Sequence, residues 1–238
     1  MAIFKPFRAY RPSKKFSKLV ASRPYDVLSS SEAKLEASDN PYSFLHVIKP
    51  EIGLPEEIDL YSPKVYEKGA NVFEHMKSDG VFFQDPEPFF YIYRLTMNER
   101  TQTGVVGCCH FEEYYSGRIK KHELTRTAKE NDRFQHVDTL NANAEPVFFS
   151  YRNNEEINRF VKKILDESPE YNFVADDQIR HELWLIQDPD QINSLENLFK
   201  KIPNLYVADG HHRTAAAARV GQKRKVNNPS HTGEEEYN

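Results

Sequence analysis

The sequence predicts a mixed α/β fold, a meander-rich mixed sheet flanked by helices. Three observations carry this reading. Helical stripes alternate with β-branched and aromatic runs along the chain. Two such runs, 89–95 and 104–111, flank a polar turn at 98–103, the pattern of an antiparallel hairpin. Finally, Leu205-Tyr206-Val207-Ala208 passes through Asp209-Gly210 into His211-His212-Arg213-Thr214 and four alanines, which reads as strand, tight turn and helix.

At 238 residues, 39% of them apolar, the chain is long enough for one α/β domain over 1–220, or for two subdomains meeting near 115–145. Residues 221–238 are polar and read as a tail or as the start of a missing C-terminal region. The net charge of −4 hides an asymmetry, because residues 1–25 carry seven Lys or Arg and no acid, leaving −11 for the rest. That acidic balance argues against nucleic acid. No stretch is long and apolar enough to span a membrane, and the basic arm lacks the apolar run of a signal peptide. Cys108 and Cys109 are neighbours whose side chains diverge on a strand, a poor disulfide or metal pair, so a reducing cytoplasm is the expected setting.

Taken in order, the arm runs extended to Arg23-Pro24-Tyr25-Asp26, and a short helix over 31–38 ends at Asn40-Pro41. Residues 42–48 alternate like a strand, and 50–59 read as loop. Ser62 caps the clearest helix, with Pro63 in its first position, Val65, Tyr66, Ala70, Phe73 and Met76 as its apolar stripe and Gly80 beyond its end. The hairpin follows. From 121 to 134 the chain is charged and weakly helical, then loops through Asn141 and Asn143. Residues 146–151 form a strand, and Asn154 caps a helix with Ile157, Phe160, Ile164 and Leu165 on one face. Strands over 171–175 and 181–187 precede a helix begun by Asp188-Pro189, with Ile192, Leu195, Leu198 and Phe199 inward.

The functional expectation rests on the sign of the side chains after Gly210. A helix start favours carboxylates, and a cation there costs about 0.3–1 kcal/mol. This one carries His211, His212 and Arg213. The conflict resolves if a phosphate or carboxylate sits in the turn, held by the free amides of Gly210 to Thr214 and by a bidentate Arg213. Asp209 at the strand end is then placed to hold magnesium or accept a proton, and Asp209 and His211 are the catalytic candidates. A purely structural alternative has Asp209 capping the helix and the histidines facing water. A second basic cluster, Lys120, Lys121 and His122 with Glu123 and Thr125, can cover another phosphate. Arg23 and Asp26 are further candidates for substrate contact, whereas His181 reads as structural. There is no Gly-x-x-x-x-Gly-Lys loop, no Gly-x-Gly-x-x-Gly, no second histidine at zincin spacing and no nucleophile elbow.

Several stretches together resemble the bacterial and archaeal domain of unknown function 1015 family, whose members are longer than this chain. They are Lys5-Pro6-Phe7-Arg8, Arg23-Pro24-Tyr25-Asp26-Val27, the run 40–47, the run 120–125, Asp132-Arg133, Glu145-Pro146 and Ala208-Asp209-Gly210-His211-His212-Arg213. More distantly, Asp209-Gly210-His211-His212-Arg213 is similar to the phosphate-binding turn of the ParB and sulfiredoxin superfamily, which includes archaeal free serine kinases. That resemblance implies a ParB/sulfiredoxin-like fold, with nucleotide phosphates on Gly210, His211, His212 and Arg213 and Asp209 near the transferred group. The expected function is phosphoryl transfer between ATP or ADP and a small hydroxy metabolite, serine-like by resemblance, with magnesium. The alternatives are a nucleotide- or phosphometabolite-binding regulator without chemistry and a phosphate-ester hydrolase.

Overall fold

The computed structural model describes residues 2–238. In chain order its elements are β1 (Phe4–Lys5), β2 (Tyr10–Pro12), α1 (Ser17–Val20), α2 (Ser30–Glu36), α3 (Leu45–Ile48), α4 (Pro63–Ser78), β3 (Phe82–Gln84), β4 (Phe90–Met97), β5 (Arg100–Val106) and β6 (Cys108–Cys109). They continue with α5 (Glu112–Tyr115), β7 (Ile119–Lys120), α6 (Thr127–Leu140), β8 (Phe148–Ser150), α7 (Glu155–Leu165), β9 (Tyr171–Val174), β10 (Arg180–Ile186), α8 (Pro189–Phe199), β11 (Leu205–Asp209) and α9 (His211–Asn227). The architecture is mixed α/β. An antiparallel sheet of order β5-β4-β10-β9 stands beside a small mixed sheet of order β7-β11-β8, and two ribbons pair β1 with β6 and β2 with β3.

Local chemistry explains most boundaries. Ser29 and Glu32 form a capping box that starts α2. Asn154 and Asp188 accept amides at the starts of α7 and α8. Pro63 opens α4, whose Val65, Tyr66, Phe73 and Met76 are buried as the stripe requires. The main core joins Phe90 and Ile92 of β4, Trp184 and Ile186 of β10, Ile157 and Ile164 of α7, Leu195 and Phe199 of α8, and Leu205 and Val207 of β11. Among the described residues, no helix is long and apolar enough to cross a membrane.

Two expectations are corrected. Residues 42–48 do not form a strand, because Leu45 to Ile48 close a helical turn with Leu45, Val47 and Ile48 buried. The Asn40 side chain accepts the Tyr42 amide and the Ser43 hydroxyl accepts the Leu45 amide, so the backbone is satisfied locally rather than by a ladder. The hairpin turn is also tighter than 98–103. Asn98 and Glu99 alone make it, at φ 48° and 66°, and Met97 pairs with Arg100. A glutamate at positive φ conceals that two-residue turn from any residue-preference rule. The second strand leaves β4 at Val106, and Gly107, where a side chain would strike the Phe4 and Phe90 rings, links it to a new pairing at Cys108. Cys108 and Cys109 then pair with Lys5 and Phe4, which draws the N-terminal arm onto the body.

Helices α6 and α9 lie side by side and run the same way. The Arg126 amide donates to His212 Nε2 at 3.0 Å, Arg219 bonds Glu130 and Asn131, and Lys223 bonds Asp138. Their positive ends therefore meet at one place. Helix α9 continues six residues past Gly221, the point from which the sequence reads as polar tail.

Candidate functional site

The parallel strands β7 and β11 point their carboxyl ends at the start of α9, with Tyr206 opposite Lys120 and Leu205 opposite Ile119. Their register with β8 shifts between Val207 and Asp209, which re-aims the strand end. Gly210 follows at φ 88°, and a side chain there would meet Val147 and the Arg213 guanidinium at 3.1–3.2 Å. Glycine is thus required both by the left-handed backbone and by Arg213 folding back over the turn. The first intrahelical bond runs from the Thr214 amide to the Gly210 carbonyl at 2.8 Å, so the preceding amides have no acceptor within the helix. The Thr214 hydroxyl also donates to that carbonyl and faces away from the open amides. No acidic residue lies in the first turn of α9.

Arg213 does not project into solvent. Its Nη2 donates to Asp209 Oδ2 at 2.6 Å and its Nη1 to the Pro146 carbonyl at 2.7 Å. Asp209 therefore does not cap the helix, as the structural alternative had it. It is 65% exposed and paired with the arginine one turn on. Below Arg213 lies a buried cluster. Burial pushes the Glu145 carboxyl up against the pull of the Tyr25 amide and of the Arg213 and Arg133 charges, and the Asp26 charge adds to the rise. Arg133 covers the Tyr25 ring at 4.1 Å, pairs with Asp132 at 2.8 Å and stands 3.9 Å from Glu145. Arg23 is not part of this cluster, since it bonds Glu36 of α2.

On the other flank, His211 is 8% exposed and its Nε2 has no hydrogen-bond partner. Its ring meets His122 edge-on at 4.4 Å, and its Nδ1 lies 3.8 Å from Glu123 Oε2. His212 accepts the Arg126 amide at Nε2, which places the proton of the neutral ring on Nδ1. Burial, then the charges of Lys129 and Arg126, lower its pKa. Lys121 lies over the Tyr114 ring at 4.0 Å, and Lys120 is exposed on β7. Thr125 donates to Glu130, which anchors the loop to the start of α6. Burial opposes ionisation of Glu130, but bonds from Thr125 and Arg219 outweigh it and lower its pKa.

The fold thus gathers Asp209, Gly210, His211, His212, Arg213, Lys121, His122, Glu123 and Thr125 around one turn, with Lys120 on the adjoining strand and Asp26 near the cluster beneath. Sequence reasoning missed Arg126 and Lys129, and it named Arg133 and Glu145 only among the stretches of the family resemblance, without a place at the site. Arg126 and Lys129 carried the same signal as the turn, cations at a helix start, but the start of α6 was not legible. Among the described residues no group of three or more His, Cys, Asp or Glu is placed to hold a metal ion. Magnesium fits only in the manner usual for it, on one carboxylate and the phosphates of a substrate.

A family model described as "Protein of unknown function (DUF1015)" matches residues 4–238. Neither the curated proteins nor the solved structures gave a match.

Proposed function

This chain belongs to the DUF1015 family, whose description names no activity, and from its own geometry we propose a phosphoryl-transfer enzyme that holds nucleotide phosphates at the start of α9. One observation carries the reading. Two parallel helices bring their positive ends together, with the cations Arg126 and Lys129 there beside His211, the neutral ring of His212 and one carboxylate, Glu130. Parallel dipoles and cations repel one another, and a bound phosphate relieves both. The similarity of Asp209-Gly210-His211-His212-Arg213 to the turn of the ParB and sulfiredoxin superfamily, including free serine kinases, supports the same assignment.

In the proposed reaction Arg213 leaves Asp209 for a phosphate oxygen, forming the bidentate contact that suits guanidinium. Asp209 is then free. The terminal phosphorus of ATP, or of ADP, loses its bond to the bridging oxygen and gains one to the acceptor hydroxyl, whose proton passes to Asp209. Lys120 and Lys121 add positive charge on the neighbouring strand and loop, and positioning with charge neutralisation is most of what such transfer needs. Magnesium, if carried on the phosphates, would supply further neutralisation, and Asp209 would be its protein ligand in place of the proton acceptor. The acceptor is a small hydroxy compound, serine by resemblance, and the setting is a reducing cytoplasm.

The Asp209–Arg213 pair at 2.6 Å favours a second reading, a nucleotide- or phosphometabolite-binding regulator in which Asp209 only stores Arg213. Phosphorus NMR with magnesium, serine and either ATP or ADP separates the two. Phosphoryl transfer yields a phosphoserine signal that the Asp209→Asn variant loses. Nucleotide resonances that broaden in both proteins without any product overturn the enzyme and leave the regulator.

A further inference from the structure

A shallow pocket of about 470 Å³ adjoins the turn, lined by Tyr114, Lys121, His122, Glu123, Leu124 and Thr125. The edge-on contact of His122 with His211 joins it to the start of α9. Its chemistry is mixed, since Lys121 and His122 share it with a carboxylate and with apolar surface. Leu124 is 97% exposed, and the half-buried Tyr114 ring adds apolar surface beside it. Glu123 repels phosphate, and it stands at the end of the pocket nearest the turn, 3.8 Å from His211 Nδ1. A single exposed leucine is ordinary. This one is set beside a cationic turn, on a loop tied at its far end by the Arg126 amide to His212 and by Thr125 to Glu130.

We infer that this pocket is the nucleoside subsite, taking the ribose and base of a nucleotide whose phosphates lie on the turn. Glu123, nearest the turn, accepts hydrogen bonds from the ribose hydroxyls, which are donors, while the phosphates stay with the amides and cations beyond it. The base lies over Leu124 and against the part of the Tyr114 ring that Lys121, 4.0 Å over it, leaves open, burying the only kind of surface in the pocket that gains from leaving water. The loop then reads the nucleoside and the helix start reads the phosphates, so one ligand uses both flanks.

The inference rests on the phosphate reading, and one titration separates their failures. Calorimetric binding of ATP and of inorganic tripolyphosphate is measured on the full chain and on Leu124→Ser, a change at an exposed position that leaves folding intact. The chain binds ATP about tenfold more tightly than tripolyphosphate, as expected when a base gains one apolar contact surface. Leu124→Ser removes most of that preference and leaves tripolyphosphate binding unchanged. Equal affinity for the two ligands in the parent chain, or an undiminished preference in Leu124→Ser, overturns the nucleoside subsite alone. Failure of both ligands to bind overturns the phosphate site and this inference with it.

Discussion

His136 is a buried histidine, 4% exposed, whose protonation the fold suppresses. Its Nε2 donates to the Val47 carbonyl at 2.9 Å. Burial, reinforced by the Arg133 charge, lowers its pKa from 6.5 to about 4. The unfolded chain therefore binds a proton that the folded one refuses. The stability His136 contributes is complete above pH 6.5 and is lost as pH falls toward about 4, by at most about 3 kcal/mol. Urea unfolding of the parent chain and of His136→Gln, compared near pH 7 and near pH 4, should show a shallower acid loss in the variant. An equal loss in both would assign the acid sensitivity to other groups. Glu145 has the opposite sign. Its raised carboxyl stabilises the fold most at low pH and less once it ionises, and the Arg213 and Arg133 charges reduce that loss without cancelling it. This ties the catalytic proposal to a physical constraint, since an Arg213 that swings away from Asp209 still has the Glu145 charge behind it.

At the scale of elements, α9 does two jobs at its two ends. Its first turn presents amides and cations, while its later turns pack against α5 and the side of α6. Gly221 marks the second job, because a Cβ there would meet Phe111 Cγ at 2.7 Å and Phe111 Cβ at 3.0 Å. Helix propensity alone says that Gly221→Ala should stabilise by about 1 kcal/mol. The clash involves the base of the Phe111 side chain, which cannot move without its backbone, so overpacking at about 1–3 kcal/mol should win. A thermal melt of Gly221→Ala should shift downward. An upward shift would mean that α5 yields at little cost. The parallel pairing of α6 and α9 is held by charge as well as by packing, through Arg219 to Glu130 and Lys223 to Asp138. Glu130 lies in the first turn of α6, so one of these carboxylates sits beside the cations at the helix starts, while Asp138 pairs further along.

For the molecule as a whole, the N-terminal arm is the part that ties separate elements together. Arg11 is 7% exposed and forks onto Asp85, which is 1% exposed, and it also donates to Tyr171 of β9 at 2.7 Å. Tyr91 of β4 donates to the same Asp85 at 2.6 Å, and Tyr171 donates to the Pro12 carbonyl. The basic arm, which the sequence presents as extended, is thus anchored on a buried carboxylate as well as by its strand pairing. Asp85→Ala leaves the Arg11 charge buried without its partner and should destabilise by about 3–5 kcal/mol in urea unfolding. The double change Arg11→Met with Asp85→Leu should recover most of that loss. Failure to recover it would show that the network also sets the path of the arm.

The sequence by itself determined the elements whose signals are local. The stripe of α4, the capped starts of α7 and α8, the strands β9 and β10, and the strand-turn-helix at Asp209 to Thr214 all follow from side-chain period and capping chemistry within a few residues. It also marked the turn as a candidate site, because cations at a helix start break a local rule. Tertiary structure alone decided what depends on distant partners. It set Leu45 to Ile48 as a helix, brought Cys108 and Cys109 against the arm, and folded Arg213 onto Asp209. It also laid α6 parallel to α9, so that Arg126 and Lys129 joined the turn. Periodicity reports which face of a segment is buried. It carries no information about which other segment will cover that face, and the site is made by that choice.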